Sequence, residues 1–188
     1  MLYTKKGDRG TTKTLRQKKG ERISKASCQT EALGALDELN SFLGLVKTKS
    51  RQKGSTFFKI QGRTLKEIIH EVQENLFIIQ AEVAGADKTI KVDKIKELEN
   101  YIGTAERAMP PIKTFFISGG TESGALLDVA RTFVRRAERE VIRAIEAKEI
   151  SVGERTLAYL NRLSSLCYAL ARFANFKAGI KEQSPKYQ

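Results

Sequence analysis

The chain opens on Thr4-Lys5-Lys6-Gly7-Asp8-Arg9-Gly10-Thr11-Thr12, where glycines, hydroxyls and cations alternate. Glycines let backbone N–H groups approach an oxyanion, hydroxyls add neutral donors, and lysines add charge. The spacing is not that of a Walker A loop, which needs G-x-x-x-x-G-K-[ST]. On these residues alone two readings stand together, a cradle for phosphate groups and a solvated basic terminus. A second concentration of chemistry comprises Asp128, Arg131, Arg135, Arg136, Glu138 and Arg139. Arg131, Arg135 and Glu138 stand at i, i+4 and i+7 and share one helix face, with Asp128 one turn earlier. A surface ion-pair ladder would account for them. The density of arginine argues instead for planar, bidentate contacts with phosphate or carboxylate.

A polar stripe follows at Asn161, Ser164 or Ser165, Tyr168 and Arg172. Asn161 could hydrogen-bond a ribose, an adenine or a phosphate, or simply another helix. Asp37-Glu38, followed by Asn40-Ser41, interrupts an apolar run; these acids could cap, pair with an arginine of another helix, or bind Mg²⁺ through water. His70 is the lone histidine and has no Cys near it, so it reads as structural or exposed. Cys28 and Cys167 are far apart and lack metal spacing, consistent with idle thiols in a reducing cytosol. No Ser-His-Asp set, Cys-His set or H-E-x-x-H motif is present, so hydrolysis through a covalent intermediate is unsupported. Arg, Asn, Lys and a glycine-rich loop suit a different task. They would position a phosphorylated substrate and stabilise its leaving charge while a cofactor supplies the nucleophile.

Elements of helical period must position these groups. Residues 1–25 read as an irregular loop broken by Gly7, Gly10 and Gly20. Apolar residues then recur at helical spacing in five runs: Thr30–Lys49, Gln61–Ala86, Val92–Ala108 (stopping before Pro110-Pro111), Glu122–Ala147 and Val152–Ala178. A loop around Ser50–Thr56 separates the first two, and Thr114–Gly120 forms a connector ending in a turn. Strand-like alternation is scarce, so no sheet is expected. The predicted architecture is an all-α bundle of five long helices with short connections. The polar tail 179–188 is expected to fray.

The 188 residues are 40% hydrophobic and 30% charged, an ordinary mixture long enough for one domain spanning 1–188. No run approaches a membrane span and no apolar leader is visible at Met1–Lys6, which together imply a cytoplasmic protein with no membrane partner. The net charge is +12, and residues 1–25 alone carry nine Lys or Arg against Asp8 and Glu21. Such a segment attracts polyanions. Charge does not choose among nucleic acid, a nucleotide triphosphate and no specific partner. Against nucleic acid, Asp128 and Glu138 stand among the arginines, and no groove-reading motif or aromatic platform appears.

In order along the chain, several blocks together resemble the PduO-type ATP:cob(I)alamin adenosyltransferase family. They are Thr4–Thr12; Gly20-Glu21-Arg22-Ile23-Ser24-Lys25; Glu31–Ser41; Phe115-Phe116-Ile117-Ser118-Gly119-Gly120; Arg131–Arg139; and Tyr159-Leu160-Asn161-Arg162-Leu163-Ser164. The resemblance implies a five-helix bundle assembling as a homotrimer with active sites between subunits. It implies transfer of the 5′-deoxyadenosyl group of ATP to the cobalt of cob(I)alamin, with triphosphate leaving. Carried over, Thr4, Lys5, Lys6, Gly7, Thr12 and Lys25 would contact ATP, and Arg135, Glu138, Arg139 and Asn161 would complete its site. Mg²⁺ would bridge phosphate oxygens without an assigned side chain. Asp37 would pair with Arg131 across the subunit interface, and Phe115 would press on the lower face of the corrin and keep an axial ligand off cobalt. An electron donor is implied, and a cobalamin-dependent acceptor enzyme would fit. Within the same family the alternative is an ATP- or cobalamin-binding carrier or sensor without efficient turnover. Two departures mark this chain: a longer, very basic stretch at Lys13–Lys19, and Ser118-Gly119-Gly120 where the family commonly has P-G-G.

Overall fold

In the computed structural model, which describes residues 3–50 and 58–187, five helices carry most of the chain. They are α1 (Cys28–Lys49), α2 (Leu65–Ala84), α3 (Val92–Arg107), α4 (Glu122–Glu146) and α5 (Glu154–Lys177). The starts have chemical causes. Ser27 caps α1 by accepting from the Thr30 N–H, and Thr121 caps α4 by accepting from the Gly124 N–H. Thr64 and Glu67 form a reciprocal capping box at α2. Gly85, at φ 100°, closes α2 in the left-handed conformation that a glycine adopts without steric cost.

Two short antiparallel ribbons stand beside the helices. β1 (Thr11–Thr12) pairs with β2 (Ile23–Ser24), and β3 (Lys59–Ile60) pairs with β4 (Arg63–Thr64). Both correct the expectation of no strands, and the second also corrects the start of α2. Gln61 and Gly62 have φ of 52° and 77°. Two consecutive left-handed residues make a tight hairpin turn rather than a first helical turn, so α2 begins at Leu65. Most of the loop expected at Ser50–Thr56 lies outside the described residues.

α1 packs between α2 and α4, α4 packs on α5, and α5 carries α3. The seam is the apolar stripe of each helix: Leu36, Leu39 and Leu43; Ile68, Val72, Leu76 and Ile79; Leu127, Ala130, Val134, Ala137 and Val141; Leu160, Leu163, Leu166 and Leu170, all buried. Alanines on α4 let its neighbours approach closely. Two polar groups enclosed in this seam are paired. Asn75 Nδ2 donates to the Tyr159 hydroxyl at 3.1 Å, and Glu82 accepts from Gly153 N at 2.9 Å and from the Thr156 hydroxyl. Cys167 is fully enclosed, and burial pushes its thiol up to about 12, so it is not a nucleophile at neutral pH. His70 is exposed. Among the described residues, no helix is long and apolar enough to cross a membrane.

α3 is tied to α2 by Lys94, which reaches Glu71 at 3.0 Å and Glu97 at 3.2 Å. Burial pushes the Glu71 carboxyl up, but the hydrogen bond from Lys94 and the charges of Lys94 and Arg63 outweigh it and hold it below the usual range. A depressed carboxylate adds stability above its unfolded value, near 4.5, and loses it as pH falls through the lower folded value. The acid limb of the stability curve is therefore expected to flatten in Glu71→Gln. Chemical denaturation between neutral pH and pH 3 checks this, and an unchanged acid limb refutes it.

Candidate active site

A cavity of about 940 Å³ opens where α4, α5 and the end of α3 meet the Pro110–Gly120 connector. Its size is in the upper range for sites that enclose small molecules. One wall is the α4 face picked out by spacing, Asp128, Arg131 and Arg135. The facing wall is the polar stripe of α5, Ser164, Ser165, Tyr168 and Arg172. The connector adds Phe115 and Phe116, and Phe115 is 76% exposed, a large apolar side chain presented to solvent at the mouth. The arrangement joins cationic donors to an exposed aromatic plate.

Beneath it lies a polar floor. Arg172 and Asp128 form an ion pair at 2.6 Å with both side chains almost fully enclosed, 2% and 4% exposed. The guanidinium also lies 5.0 Å from the Tyr168 ring centroid, and its Nε is 2.9 Å from Glu182. Arg131 Nε is buried with no hydrogen-bond partner among the described residues. Sequence periodicity placed Asp128 in an arginine ladder and Arg172 in a polar stripe; it did not pair them, because the pairing depends on how α4 crosses α5. Asn175 went unnoticed altogether. Its side chain is fully buried and bonded on both sides: Oδ1 accepts from Thr121 N and Oγ1, each at 2.9 Å, and Nδ2 donates to Gly119 O at 2.9 Å and Glu182 Oε1 at 2.6 Å. Gly120, at φ 93°, lies so close that a Cβ there would sit 2.7 Å from the Asn175 amide. Asn175 thereby holds the turn that follows Phe115.

At the other end of the molecule the N-terminal residues form a compact loop. β1 and β2 bring Thr12 alongside Ile23, and Lys25 N donates to Gly10 O at 2.9 Å. The Lys25 side chain crosses directly over Gly7, its Nζ 3.1 Å from where a Cβ would be. Lys5 has φ 58° and its carbonyl accepts from Asp8 N. Thr4, Lys5, Lys6, Gly7, Thr12 and Lys25 thus share one small, largely exposed loop. Arg22, which sequence reasoning had placed only within a block, braces it by donating to Thr11 Oγ1 at 2.8 Å and Thr11 O at 2.7 Å. The basic stretch Lys13–Lys19 also finds a place. Arg16 packs against Gly85 and donates to Ser151 O at 3.2 Å, anchoring the loop to the ends of α2 and α4.

The remaining candidates lie on the helices. Asn161 Nδ2 approaches Glu138 Oε1 at 3.3 Å, joining α5 to α4. Arg135 and Arg139 are exposed on that face. Among the described residues, no hydrogen bond or ion pair connects the Thr4–Lys25 loop to Arg135, Glu138, Arg139 or Asn161. Asp37 is exposed on α1 and makes no ion pair with Arg131 within the chain; its neighbour Glu38 pairs with Arg136 of α4 instead. The two halves of the expected nucleotide site are therefore separate within one chain.

Comparison with known proteins bears on what these halves hold. A family model described as cobalamin adenosyltransferase matches residues 2–174. A corrinoid adenosyltransferase of Bacillus subtilis (strain 168) is 36% identical over 180 residues, covering 95% of this chain and 89% of that protein. The corrinoid adenosyltransferase PduO of Citrobacter freundii is 35% identical over 178 residues, and the match covers 91% of this chain but only 49% of that longer relative. Among solved structures, a variant PduO-type ATP:corrinoid adenosyltransferase from Lactobacillus reuteri, complexed with cobalamin and ATP, superposes with a TM-score of 0.86 at 29% identity, covering 100% of this chain and 97% of that one.

Proposed function

The chain belongs to the cobalamin adenosyltransferase family, and from that premise we propose how its residues perform the reaction. It transfers the 5′-deoxyadenosyl group of ATP to the cobalt of cob(I)alamin, giving adenosylcobalamin and triphosphate. The observation that carries the reading is the large cavity with Phe115 at its mouth and Arg131 and Arg135 on its wall, in a chain matched to the family over residues 2–174.

The corrinoid occupies the cavity, with Phe115 against its lower face. An apolar ring there excludes water and the axial base, leaving a four-coordinate cobalt(II) that an external electron donor reduces more readily. The cobalt(I) lone pair then attacks C5′ of ATP, the C5′–O bond breaks, and its electrons leave with triphosphate. Thr4, Lys5, Lys6, Gly7, Thr12 and Lys25 cradle the phosphates, while Arg135, Glu138, Arg139 and Asn161 close the nucleotide site from the helices. The cations offset charge that grows on the leaving group, which is where fixed positive charge lowers a barrier most. Lysines, threonines and backbone N–H groups suit phosphate oxygens rather than a metal ion, and among the described residues no cluster of metal-ligating side chains is present; Mg²⁺ would come bound to ATP and would supply further positive charge to its phosphates. No side-chain nucleophile is required, since cobalt is one.

The assembly we propose is a homotrimer of a single-domain subunit, each active site formed by the N-terminal loop of one copy and α4 and α5 of the next. The separation of the two halves within a chain and the exposure of Arg135, Arg139 and Asp37 support it. Asp37 would then meet Arg131 of the adjoining copy, giving the buried, unpartnered Arg131 Nε an acceptor.

The test is direct. The protein is mixed with ATP, Mg²⁺ and chemically reduced cobalamin, and the cobalt–carbon product is followed by its absorption. Tight ATP binding with no adenosylcobalamin would replace the enzyme with a carrier or sensor. In the same assay Asp37→Asn is expected to weaken cobalamin handling roughly tenfold, about the worth of one charge-assisted hydrogen bond, with ATP affinity kept. Unchanged cobalamin affinity and rate would refute the Asp37–Arg131 pair.

A further inference from the structure

The C-terminal tail does not fray as its composition predicts. Ile180 N donates to Asn175 O at 2.9 Å, and Gln183 O accepts from Ile117 N at 2.8 Å. Between them Glu182, only 14% exposed in its side chain, lies 2.9 Å from Arg172 Nε and 2.6 Å from Asn175 Nδ2. Tyr187, further along, reaches the wall of the cavity. One carboxylate thus grips both residues of α5 that govern the site, the arginine of the buried Asp128 pair and the asparagine that holds the turn after Phe115. The tail backbone then bonds that same connector two residues beyond Phe115. Ser118 lacks the ring with which a proline would stiffen this turn, and the tail contact supplies a restraint from outside the segment.

We propose that Glu182 is a positioning residue for the corrinoid half of the reaction. By clasping Arg172 and Asn175 it docks the tail, and the docked tail holds the Phe115 connector in the attitude that the cavity requires. This rests on the reading of the cavity as the corrinoid site. The hydrogen bond from Asn175 fixes the carboxylate in direction as well as distance, and the ion pair with Arg172 adds charge attraction at a nearly enclosed contact. Removing it leaves Arg172 paired with Asp128, so the core retains its charge balance while the tail loses its anchor.

The experiment compares the wild type with Glu182→Ala and Glu182→Gln. Hydrogen exchange at the Ile117 amide reports docking without requiring catalysis, and steady-state assays report the two substrates separately. In Glu182→Ala we expect Ile117 to lose its protection, the KM for cobalamin to rise about tenfold, the KM for ATP to stay within about twofold of the wild type, and the melting temperature to stay within about 2 °C of it. Glu182→Gln, whose amide oxygen can still accept, should recover much of both signals. Unchanged Ile117 exchange and an unchanged cobalamin KM in Glu182→Ala would overturn the proposal. So would a parallel rise of both KM values with a lowered melting temperature, which marks a purely structural residue. If the wild type makes no adenosylcobalamin, the enzyme reading fails instead, and the exchange data still decide whether Glu182 docks the tail.

Discussion

Replacing Arg135 by alanine is expected to reduce the turnover of adenosyl transfer by a factor of about 10²–10³, the usual cost of removing one fixed donor from a developing anion. Arg135 is exposed on α4, lines the cavity and is not among the buried residues of the core. The loss should therefore appear in the chemical step with the fold intact. Melting temperature and helical circular dichroism should match the wild type, since surface substitutions away from buried features change stability by about ±0.5 kcal/mol. Arg135→Lys should recover only part of the rate. An ammonium restores the charge but not the planar pair of donors that a phosphate oxygen edge accepts. Full activity in Arg135→Ala would remove this residue from the site and, with it, the α4 half of the proposed nucleotide cradle.

Arg172→Met should act in the opposite way, through stability first. It strands Asp128, 4% exposed, without its counter-charge. Breaking a buried pair by removing one partner typically costs about 3–5 kcal/mol, whereas replacing both partners by apolar groups is often neutral. At roughly 2–4 °C per kcal/mol for a chain of this size, the melting temperature should fall by about 6–20 °C. The double change Arg172→Met with Asp128→Leu should recover most of that fall. Because subunit association also contributes to a melting temperature, the comparison is made at one protein concentration. A fall below about 2 °C in the single variant would show that Asp128 finds another partner or water. The two variants also separate the roles of neighbouring cavity residues, since the proposed function sets Arg135 against the reacting groups while Arg172 supports the wall behind.

The helices and the two polar walls of the cavity were legible because both depend on local period. Leucines and alanines at three- and four-residue spacing placed α1, α3, α4 and α5 within two residues of their observed ends. The same arithmetic put Asp128, Arg131 and Arg135 on one face, and Ser164, Tyr168 and Arg172 on another, which are the two walls of the cavity. The hairpin before α2 was missed because two-residue strands have no period to detect. Its only sign was the Gln61-Gly62 pair, whose positive φ angles become decisive once β3 meets β4. The basic Lys13–Lys19 stretch had no reading in sequence, because its anchor, Arg16 on Gly85 and Ser151, joins residues far apart in the chain.

The amino-acid sequence by itself determined which segments become helices, which faces are apolar and which carry cations, and, through the ordered blocks from Thr4 to Ser164, the family to which the chain belongs. Those properties are set by residue spacing and by chemistry that each segment carries alone. Only the tertiary structure decided that Arg172 pairs with Asp128, that Asn175 holds the turn behind Phe115, and that the polar tail docks through Glu182 rather than fraying. Each of these is a contact between elements distant in sequence. Its energy comes from burial and from hydrogen-bond direction, and neither exists until α4, α5 and the tail have been brought together.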